Sequence, residues 1–148
     1  MGNKAFSVLI NIDGGARGNP GPAGAGVVIQ SADDGTVLFE GGFFLGEATN
    51  NVAEYQALLE ALPAARKLGA ESVEVCSDSE LLVRQMNGRY RVKNAGLKPM
   101  FDRACRMRKK FSNFSIRHVR REENTLADKL VNQAINLKQN VEDAAGHS

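Results

Sequence analysis

Long apolar segments are missing from this chain of 148 residues, and no run approaches the roughly 18 residues that span a bilayer. The first residues also lack the charged, apolar and small-residue succession of a secretory signal. Only two cysteines occur, Cys76 and Cys105, which are too few for a disulfide framework, so we expect both to be small buried residues. These absences predict a single globular domain in the cytoplasm rather than a membrane protein or a disulfide-rich secreted one.

Acidic residues are almost missing from residues 84–121, which carry 13 lysines and arginines and one acid, Asp102. The preceding 83 residues have the opposite balance, with 4 basic and 11 acidic residues. The basic segment is either a solvated helix face or a binding surface for a polyanion. Because it has so few neutralising acids, a polyanion such as a nucleic acid is the favoured partner.

A glycine-rich segment at residues 14–22 lacks the features of the common nucleotide-binding loops. It has no Gly-Lys-Ser or Gly-Lys-Thr ending, and a strand-like segment rather than a helix follows it, which excludes a P-loop and a dinucleotide fingerprint. Two interpretations remain. The segment is either a flexible connection between strands or a place where the backbone, at Gly14 for example, approaches a nucleic acid closely.

The spacing of the apolar residues predicts elements in the order β-β-β-α-β-α-α-β-α. Alternation with a period of two marks the strands, and helical spacing marks the helices. The strands are expected at residues 5–12, 24–31, 36–44, 72–77 and 114–121, and the helices at residues 51–68, 80–87, 97–111 and 125–137. Three successive strands with short connections favour an antiparallel meander, so we predict the α/β class, a mixed sheet covered by helices.

Local signals predict where some of these elements begin and end. Asn51 followed by Glu54 resembles a capping box, which would place Glu54 in the first turn of its helix. Pro63 lies inside the same helix and should kink it or end its regular part. Residues 139–148 are polar, so we expect one domain over residues 1–138 and a disordered tail after it.

Four carboxylates stand where predicted elements begin or end: Asp13, Glu54, Asp78 and Asp128. If the first and fourth strands are parallel neighbours, Asp13 and Asp78 lie side by side at the carboxyl edge of the sheet. The other two acids would come from helices that pack beside this edge. Four carboxylates this close together cannot all stay ionised without cations. Their oxygen atoms are ligands that suit Mg²⁺ or Mn²⁺. The alternative is that each acid only caps a turn or a helix N-terminus.

Thr49, Asn50 and Asn51 form a polar run just before the helix that carries Glu54. Side chains of these types cap helices, which is the structural interpretation. They also contact base edges, sugars and phosphate oxygens in nucleic-acid complexes, which is the functional one. The run by itself is compatible with both.

Several stretches, taken in order, resemble type 1 ribonuclease H, the family that cuts the RNA strand of RNA–DNA hybrids. They are IDGG at residues 12–15, GNPGP at 18–22, TNNVAEY at 49–55, SDS at 77–79 and REENTLAD at 121–128. Each motif is short, but together their order and spacing are highly specific, and they span almost the whole chain.

The resemblance implies a fold, a reaction and a set of site residues. The sheet would have five strands, with strands 1–3 antiparallel, strands 4 and 5 parallel to strand 1, and helices on both faces. The protein would be a monomer that cleaves the RNA strand internally to 5′-phosphate and 3′-hydroxyl ends, with two Mg²⁺ ions, or Mn²⁺, held by Asp13, Glu54, Asp78 and Asp128. The expected contacts with the hybrid are Gly14, Asn19, Asn50, Asn51, Lys93 and Asn94.

The sequence departs from the family pattern at three places that concern the substrate rather than the metal site. The loop at residues 120–123 lacks the histidine that many members use for product release or proton transfer. Many members have a glutamine directly after the serine that follows the third acid, whereas this chain has Glu80 after Ser79. Residues 88–96 are short where some members have a long basic handle, so the grip on the substrate would depend more on Lys93, Asn94 and the basic third helix.

Two other functions are compatible with these residues. A non-catalytic hybrid-binding module of the same fold would keep the motifs without cleaving, although the presence of all four acids argues against it. A junction resolvase or a 3′–5′ exonuclease is the other alternative. Exonucleases of this kind place a glutamate two residues after the first aspartate, where this chain has Gly15.

Overall fold

The computed structural model describes residues 6–144, and its elements follow the predicted order with one strand added. The strands are β1 (Ser7–Ala16), β2 (Gly21–Ser31), β3 (Val37–Ala48), β4 (Ser72–Ser77), β5 (Asn113–His118) and β6 (Val141–Ala144). The helices are α1 (Asn50–Lys67), α2 (Glu80–Met86), α3 (Lys98–Arg108) and α4 (Thr125–Leu137), with a 3₁₀ turn at Arg121–Glu123. Within the described residues, no helix is both long and apolar enough to cross a membrane.

One sheet contains all of these strands in the order β5-β4-β1-β2-β3-β6. β1, β2 and β3 are antiparallel neighbours, and β4 and β5 run parallel to β1. The parallel strands are connected through helices, because a tight turn cannot join strands that run in the same direction. The predicted arrangement of strands 1–5 and the α/β class are therefore confirmed.

Helices cover both faces of the sheet, as predicted. The larger core lies on the face of α1 and α3 and includes Ile10 and Leu58, both fully buried. On the other face α4 packs so closely on β2 that a side chain at Gly26 would overlap the backbone carbonyl of Ala127. This close contact brings the first turn of α4 next to the middle of the sheet.

β1 continues beyond its predicted end because its two neighbours pair with it over different lengths. The parallel pairing with β4 stops at Ile12, whereas the antiparallel pairing with β2 continues to Ala16. Asp13 is therefore inside a strand and does not end it. Pairing with β2 satisfies the backbone groups of Gly14 and Gly15, which outweighs the turn preference of glycine.

α1 begins one residue before its predicted start, and the predicted capping box is wrong. The N-cap is Thr49, whose extended backbone suits that position. Its hydroxyl oxygen accepts a hydrogen bond of 3.2 Å from the Val52 N–H in the first turn. Asn51 is already helical and cannot cap. Glu54 consequently lies in the second turn, and Pro63 does not end the helix, which continues to Lys67.

The C-terminal segment departs most from the sequence prediction. Residues 139–148 were expected to form a disordered tail after one domain, but Val141–Ala144 forms β6 and pairs with β3, so the sheet has six strands rather than five. Asn140 fastens the entry to β6 by accepting a hydrogen bond of 2.9 Å from the Phe44 N–H. An open sheet edge offers backbone groups to any extended segment, whatever its polarity, so composition could not reveal this pairing. Residues 145–148 lie outside the described part of the chain.

Both cysteines are free thiols, and only one of them, Cys76, is buried as expected. Cys76 is 1% exposed in β4, and burial raises the pKa of its thiol. Cys105 is half-buried in α3 and packs against the larger core.

Candidate active site

Asp13 and Asp78 lie side by side because the parallel pairing of β1 with β4 ends just before both of them. Ile12 and Ser77 form the last pair between β1 and β4, and the next residue in each strand direction is an aspartate. Asp13 is 7% exposed, and the side chain of Asp78 is 11% exposed. Both therefore lie at the carboxyl edge of the parallel strands, where α/β sheets bind ligands.

Glu54 joins the two aspartates because Gly14 lets α1 approach β1. A β-carbon at Gly14 would overlap the backbone of Ala53 and Glu54, so only glycine allows this separation. One carboxylate oxygen from each of Asp13, Glu54 and Asp78 lies within 4.8 Å of the other two. The fold thus brings together three acids from β1, from α1 and from the connection after β4.

Asp128 faces the same cavity from the first turn of α4, and Asn124 holds that turn in place. Asn124 occupies the N-cap position, but its side chain turns away from the helix. Its Nδ2 donates to the Ile12 carbonyl at 2.8 Å, and its Oδ1 accepts from Asn11 Nδ2 at 3.0 Å. Asn124 is 2% exposed, so these bonds, the one to Ile12 fully buried, join α4 to the residues before Asp13.

A second polar link reaches Asp128 from the outer side of the cavity. Asn132 donates through Nδ2 to the backbone carbonyl of Asp128 at 3.1 Å, and Arg17 Nη2 donates to Asn132 Oδ1 at 3.2 Å. Both Arg17 and Asn132 line the cavity. The sequence offers no signal for Arg17, whereas Asn132 could have been found from its position one helical turn after Asp128.

The four carboxylates line one open cavity of about 370 Å³. Burial raises the pKa of Asp13 to about 8, and the charges of Asp78 and Asp128 add to the effect. Burial also raises the pKa of Glu54, with the charges of Asp13 and Asp78 acting in the same direction. Glu54 Oε1 is buried without a hydrogen-bond partner among the described residues. Crowded acids with an orphaned oxygen are a donor set that hard divalent cations fit.

Arg121 places a cation beside this cluster, a feature that the sequence reasoning missed. It lies in the 3₁₀ turn before α4, with its Nε 4.0 Å from Asp78 Oδ2, and it lines the cavity. Its charge lowers the pKa of Glu54, although burial has the larger, opposite effect. The Arg121 side chain is 88% exposed. In this loop, where the family pattern leads one to look for a histidine, the side chain beside the carboxylates is an arginine.

Asn19 and Asn50, two of the predicted substrate contacts, are hydrogen-bonded to each other. Asn19 Oδ1 accepts from the Asn50 N–H at 3.0 Å, and Asn50 Oδ1 accepts from the Ala16 N–H at 2.8 Å. These bonds fasten the β1–β2 loop to the start of α1. Asn50 lines the cavity, as does Gly14, and Asn51 is exposed next to it.

Lys93 and Asn94, like Asn19 and Asn51, do not line the cavity of the carboxylates. Asn94 Oδ1 accepts from the N–H groups of Gly96 and Leu97 at 2.7 and 3.2 Å, which closes the turn before α3. Lys93 lines a separate surface cleft that also contains Tyr90. Asn94 therefore has a local structural role, and contact of both residues with a substrate stays a prediction.

The strand order and the acidic cluster at the carboxyl edge define a protein of the ribonuclease H fold class. A family model for reverse transcriptase-like proteins matches residues 11–134. The chain is 46% identical over 130 residues to the bifunctional protein Rv2228c of Mycobacterium tuberculosis, which is 88% of this chain and 36% of that protein.

Two ribonucleases are similar over most of this chain. Ribonuclease HI of Halobacterium salinarum is 44% identical over 123 residues, which is 83% of this chain and 61% of that protein. The crystal structure of RNase H1 from the same organism has a TM-score of 0.85 at 42% identity, covering 88% of this chain and 98% of that one. LC11-RNase H1, solved in complex with an RNA/DNA hybrid, has a TM-score of 0.84 at 46% identity, covering 88% and 98%.

The chain belongs to the type 1 ribonuclease H family. It spans 36% of the length of the mycobacterial proteins that it matches.

Proposed function

We propose that the protein is an endonuclease that hydrolyses the RNA strand of RNA–DNA hybrids with two Mg²⁺ or Mn²⁺ ions held by Asp13, Glu54, Asp78 and Asp128. The observation that carries the proposal is the acidic cluster, in which oxygens of the first three residues lie within 4.8 Å of one another. Asp128 lines the same cavity. A relative bearing the name ribonuclease HI and the hybrid complex of LC11-RNase H1 support the choice of substrate.

The chemistry of the cluster fits divalent cations. A cation would offset the mutual repulsion that helps to raise the pKa of Asp13, and it would give the orphaned Glu54 Oε1 a partner. When bound, two such ions supply an activated water and stabilise the leaving 3′-oxygen, which accounts for 5′-phosphate and 3′-hydroxyl ends.

Two arginines are placed to hold the phosphate of a substrate beside the carboxylates. Arg17 and Arg121 both line the cavity, and both are exposed. Guanidinium groups suit phosphate oxygens because they present several donors in one plane. Arg17 is oriented by its bond to Asn132, and Arg121 by its ion pair with Asp78.

Asn19 and Asn50, which join the β1–β2 loop to α1, present donors to the hybrid. The side-chain oxygens of Asn19 and Asn50 accept bonds from within the protein, whereas neither Nδ2 group donates to another described residue. These amide N–H groups are therefore available to 2′-hydroxyl, sugar and base acceptors in the minor groove of a hybrid. Because the β1–β2 loop is already fastened to α1, little ordering is required on binding.

The basic loop after α2 supplies affinity that does not depend on nucleotide sequence. Arg89, Arg91 and Lys93 line one surface cleft together with the exposed ring of Tyr90. Phosphate contacts of this kind release counterions, so hybrid binding should weaken steeply as salt is added. The proposal includes action as a monomer in the cytosol, and the two free thiols are consistent with a reducing compartment.

The test is a cleavage assay on an RNA–DNA hybrid and on matched double-stranded RNA and DNA, with Mg²⁺ and Mn²⁺ each titrated. We expect cleavage of the RNA strand of the hybrid alone and none in a chelator. Asp13→Asn should abolish cleavage and keep hybrid binding, whereas Asp102→Asn, outside the cavity, should leave both unchanged. Cleavage that survives Asp13→Asn contradicts the proposed site. Hybrid binding by the native protein without cleavage would identify the non-catalytic module instead.

A further inference from the structure

α1 and α3 form a second cleft, of about 640 Å³, at the end of the molecule opposite the carboxylates. Leu62 and Arg66 line this cleft and follow Glu54 by about two and three turns of α1, so they show how far the cleft lies from the carboxylates. Helical geometry places them roughly 12 and 18 Å from Glu54 along the helix axis. α1 and α3 both end here before the chain enters β4 and β5, so the cleft lies at the amino edge of the parallel strands.

Cations surround this cleft without neutralising partners. The four are Arg66, Arg103, Arg106 and Lys110. All are exposed, no acid lines the cleft, and no carboxylate in the described part of the chain lies within salt-bridge distance of any of them. Uncompensated charges of one sign in a concave surface produce a strong local potential that attracts an anion.

The floor of the cleft is apolar, which limits the kind of anion that fits. Leu62 and Phe111 are almost fully buried, at 1% and 8% exposure, and Met107 is half-buried between the arginines. A flexible methionine surrounded by arginines adapts to apolar side chains of different shapes. A ligand that uses the whole cleft must therefore carry apolar groups beside its negative charges.

A nucleic acid matches only half of this surface. Its phosphates would suit the cations, but single-stranded bases bind by stacking on exposed aromatic faces. The only aromatic residue lining the cleft, Phe111, is 8% exposed. An acidic polypeptide segment with an apolar side chain supplies both kinds of group and matches the charge of the rim.

We propose that this cleft is a docking surface for an acidic peptide segment of a partner protein, with an apolar side chain seated over Met107 and carboxylates facing the four cations. The distance along α1 leaves the carboxylate cavity uncovered. The partner and a nucleic-acid substrate can therefore be bound together, and the peptide tethers the partner without blocking the cavity.

The test uses a panel of short fluorescein-labelled peptides that combine glutamates with one or two leucines or phenylalanines at varied positions. Anisotropy should detect binding by members of the panel, and replacing glutamate by glutamine or the apolar residue by serine should weaken it by about tenfold or more. Amide shifts in ¹⁵N-labelled protein should map to the second half of α1 and to residues 103–111.

Matched charge reversals test the cations. Arg66→Glu and Arg106→Glu should each weaken peptide binding by about tenfold, because each replaces an attraction by a repulsion. Lys67→Glu makes the same change one residue away, outside the lining, and should leave peptide affinity unchanged. Shift mapping on the unaltered protein decides the question even if a variant fails to fold.

Several results would overturn the proposal. These are no binding by any member of the panel, equal binding of the glutamine peptides, or shifts that map to the carboxylate cavity or to the loop of Arg89 and Lys93. Displacement of the peptide by an RNA–DNA hybrid, with hybrid affinity lost in Arg66→Glu, would assign the cleft to nucleic acid instead.

Discussion

Asn124 Nδ2 donates a hydrogen bond of 2.8 Å to the carbonyl oxygen of Ile12, although the two residues are 112 positions apart in the chain. Ile12 immediately precedes Asp13, and Asn124 immediately precedes the helix that carries Asp128. Together with the close contact at Gly26, this buried bond therefore holds the acids of β1 and α4 near each other. Asparagine at an N-cap commonly caps the first turn, but the side chain of Asn124 makes this longer-range contact instead.

We expect Asn124→Ala to lower the free energy of unfolding by about 1–3 kcal/mol, because it leaves the buried Ile12 carbonyl and the half-buried Asn11 amide without these partners. The hybrid-cleavage rate should fall, and the Mg²⁺ concentration giving half the maximal rate should rise, because Asp128 is no longer held beside Asp13. Urea denaturation and metal titration measure these effects. Asn113→Ala, on exposed β5, is the control. A loss of stability with an unchanged metal titration would mean that Asn124 is merely structural.

Adjacent glycines give a sharp test of how α1 meets β1. Gly14→Ala should destabilise the protein by about 1–3 kcal/mol and reduce cleavage strongly, because the new methyl group must push Ala53 and Glu54 away from β1. Gly15→Ala has nothing within 4 Å of its new β-carbon and should be tolerated. Thermal melts and cleavage assays on both variants check this. Equal effects of the two substitutions would show that the close approach at Gly14 does not matter.

The acidic cluster predicts an unusual pH dependence of stability in the metal-free protein. The pKa of Asp13 is about 8 in the folded state against an ordinary value of 3.8, so between these values the folded state holds a proton that the unfolded state has lost. The free energy of unfolding should therefore fall as pH rises from about 4 to about 8. Asparagine does not ionise, so Asp13→Asn should lack this fall in stability. Its free energy of unfolding should exceed that of the native protein by on the order of 2 kcal/mol at pH 8 in a chelator.

Chemical denaturation of the native protein and Asp13→Asn across this pH range measures the difference, and Asp102→Asn serves as the control. Adding Mg²⁺ should stabilise the native protein more at pH 8 than at pH 5, because the cation binds the ionised form. If the stability difference between native protein and Asp13→Asn does not change with pH, the acids are less crowded than the structure indicates.

Arg121 should affect the substrate and the metal in opposite directions. Removing its charge in Arg121→Ala weakens the attraction for the scissile phosphate, so KM for the hybrid should rise by about three- to tenfold. The same change removes a cation that repels Mg²⁺ beside Asp78, so the metal titration should shift to lower concentration.

The matched control is Arg120→Ala, because Arg120 pairs with Glu122 and Glu123 rather than with the carboxylate cluster. Steady-state kinetics at several Mg²⁺ concentrations separates the two effects. If both arginine variants behave alike, the loop acts through general positive charge and not through the position of Arg121.

Much of the fold could be predicted because it depends on local spacing. The alternation of apolar residues places strands 1–5 in the right order, and β4 has the bounds Ser72–Ser77 that its pattern predicts. The errors occur where a distant partner outweighs local preference. Glycines at residues 14 and 15 pair with β2 instead of turning, and Val141–Ala144 pairs with the open edge of β3.

The candidate site also has a part that the sequence predicts and a part that depends on tertiary packing. Its four acids are recognisable from residue type and position, because each follows or opens a predicted element. Arg17 and Asn132 could not be paired from the sequence, since one lies in a loop and the other in the last helix, and only packing brings them to 3.2 Å.

The sequence alone determined which elements form, which acids they display and where positive charge accumulates, because periodicity, residue chemistry and charge are local properties. The tertiary structure decided how far apart those acids lie and what holds them. It also divided the positive charge between the loop after α2 and the distal cleft between α1 and α3. These distances depend on close backbone contacts such as that at Gly14, and on buried bonds such as that from Asn124 to Ile12. Such contacts exist only once residues far apart in the chain have packed together.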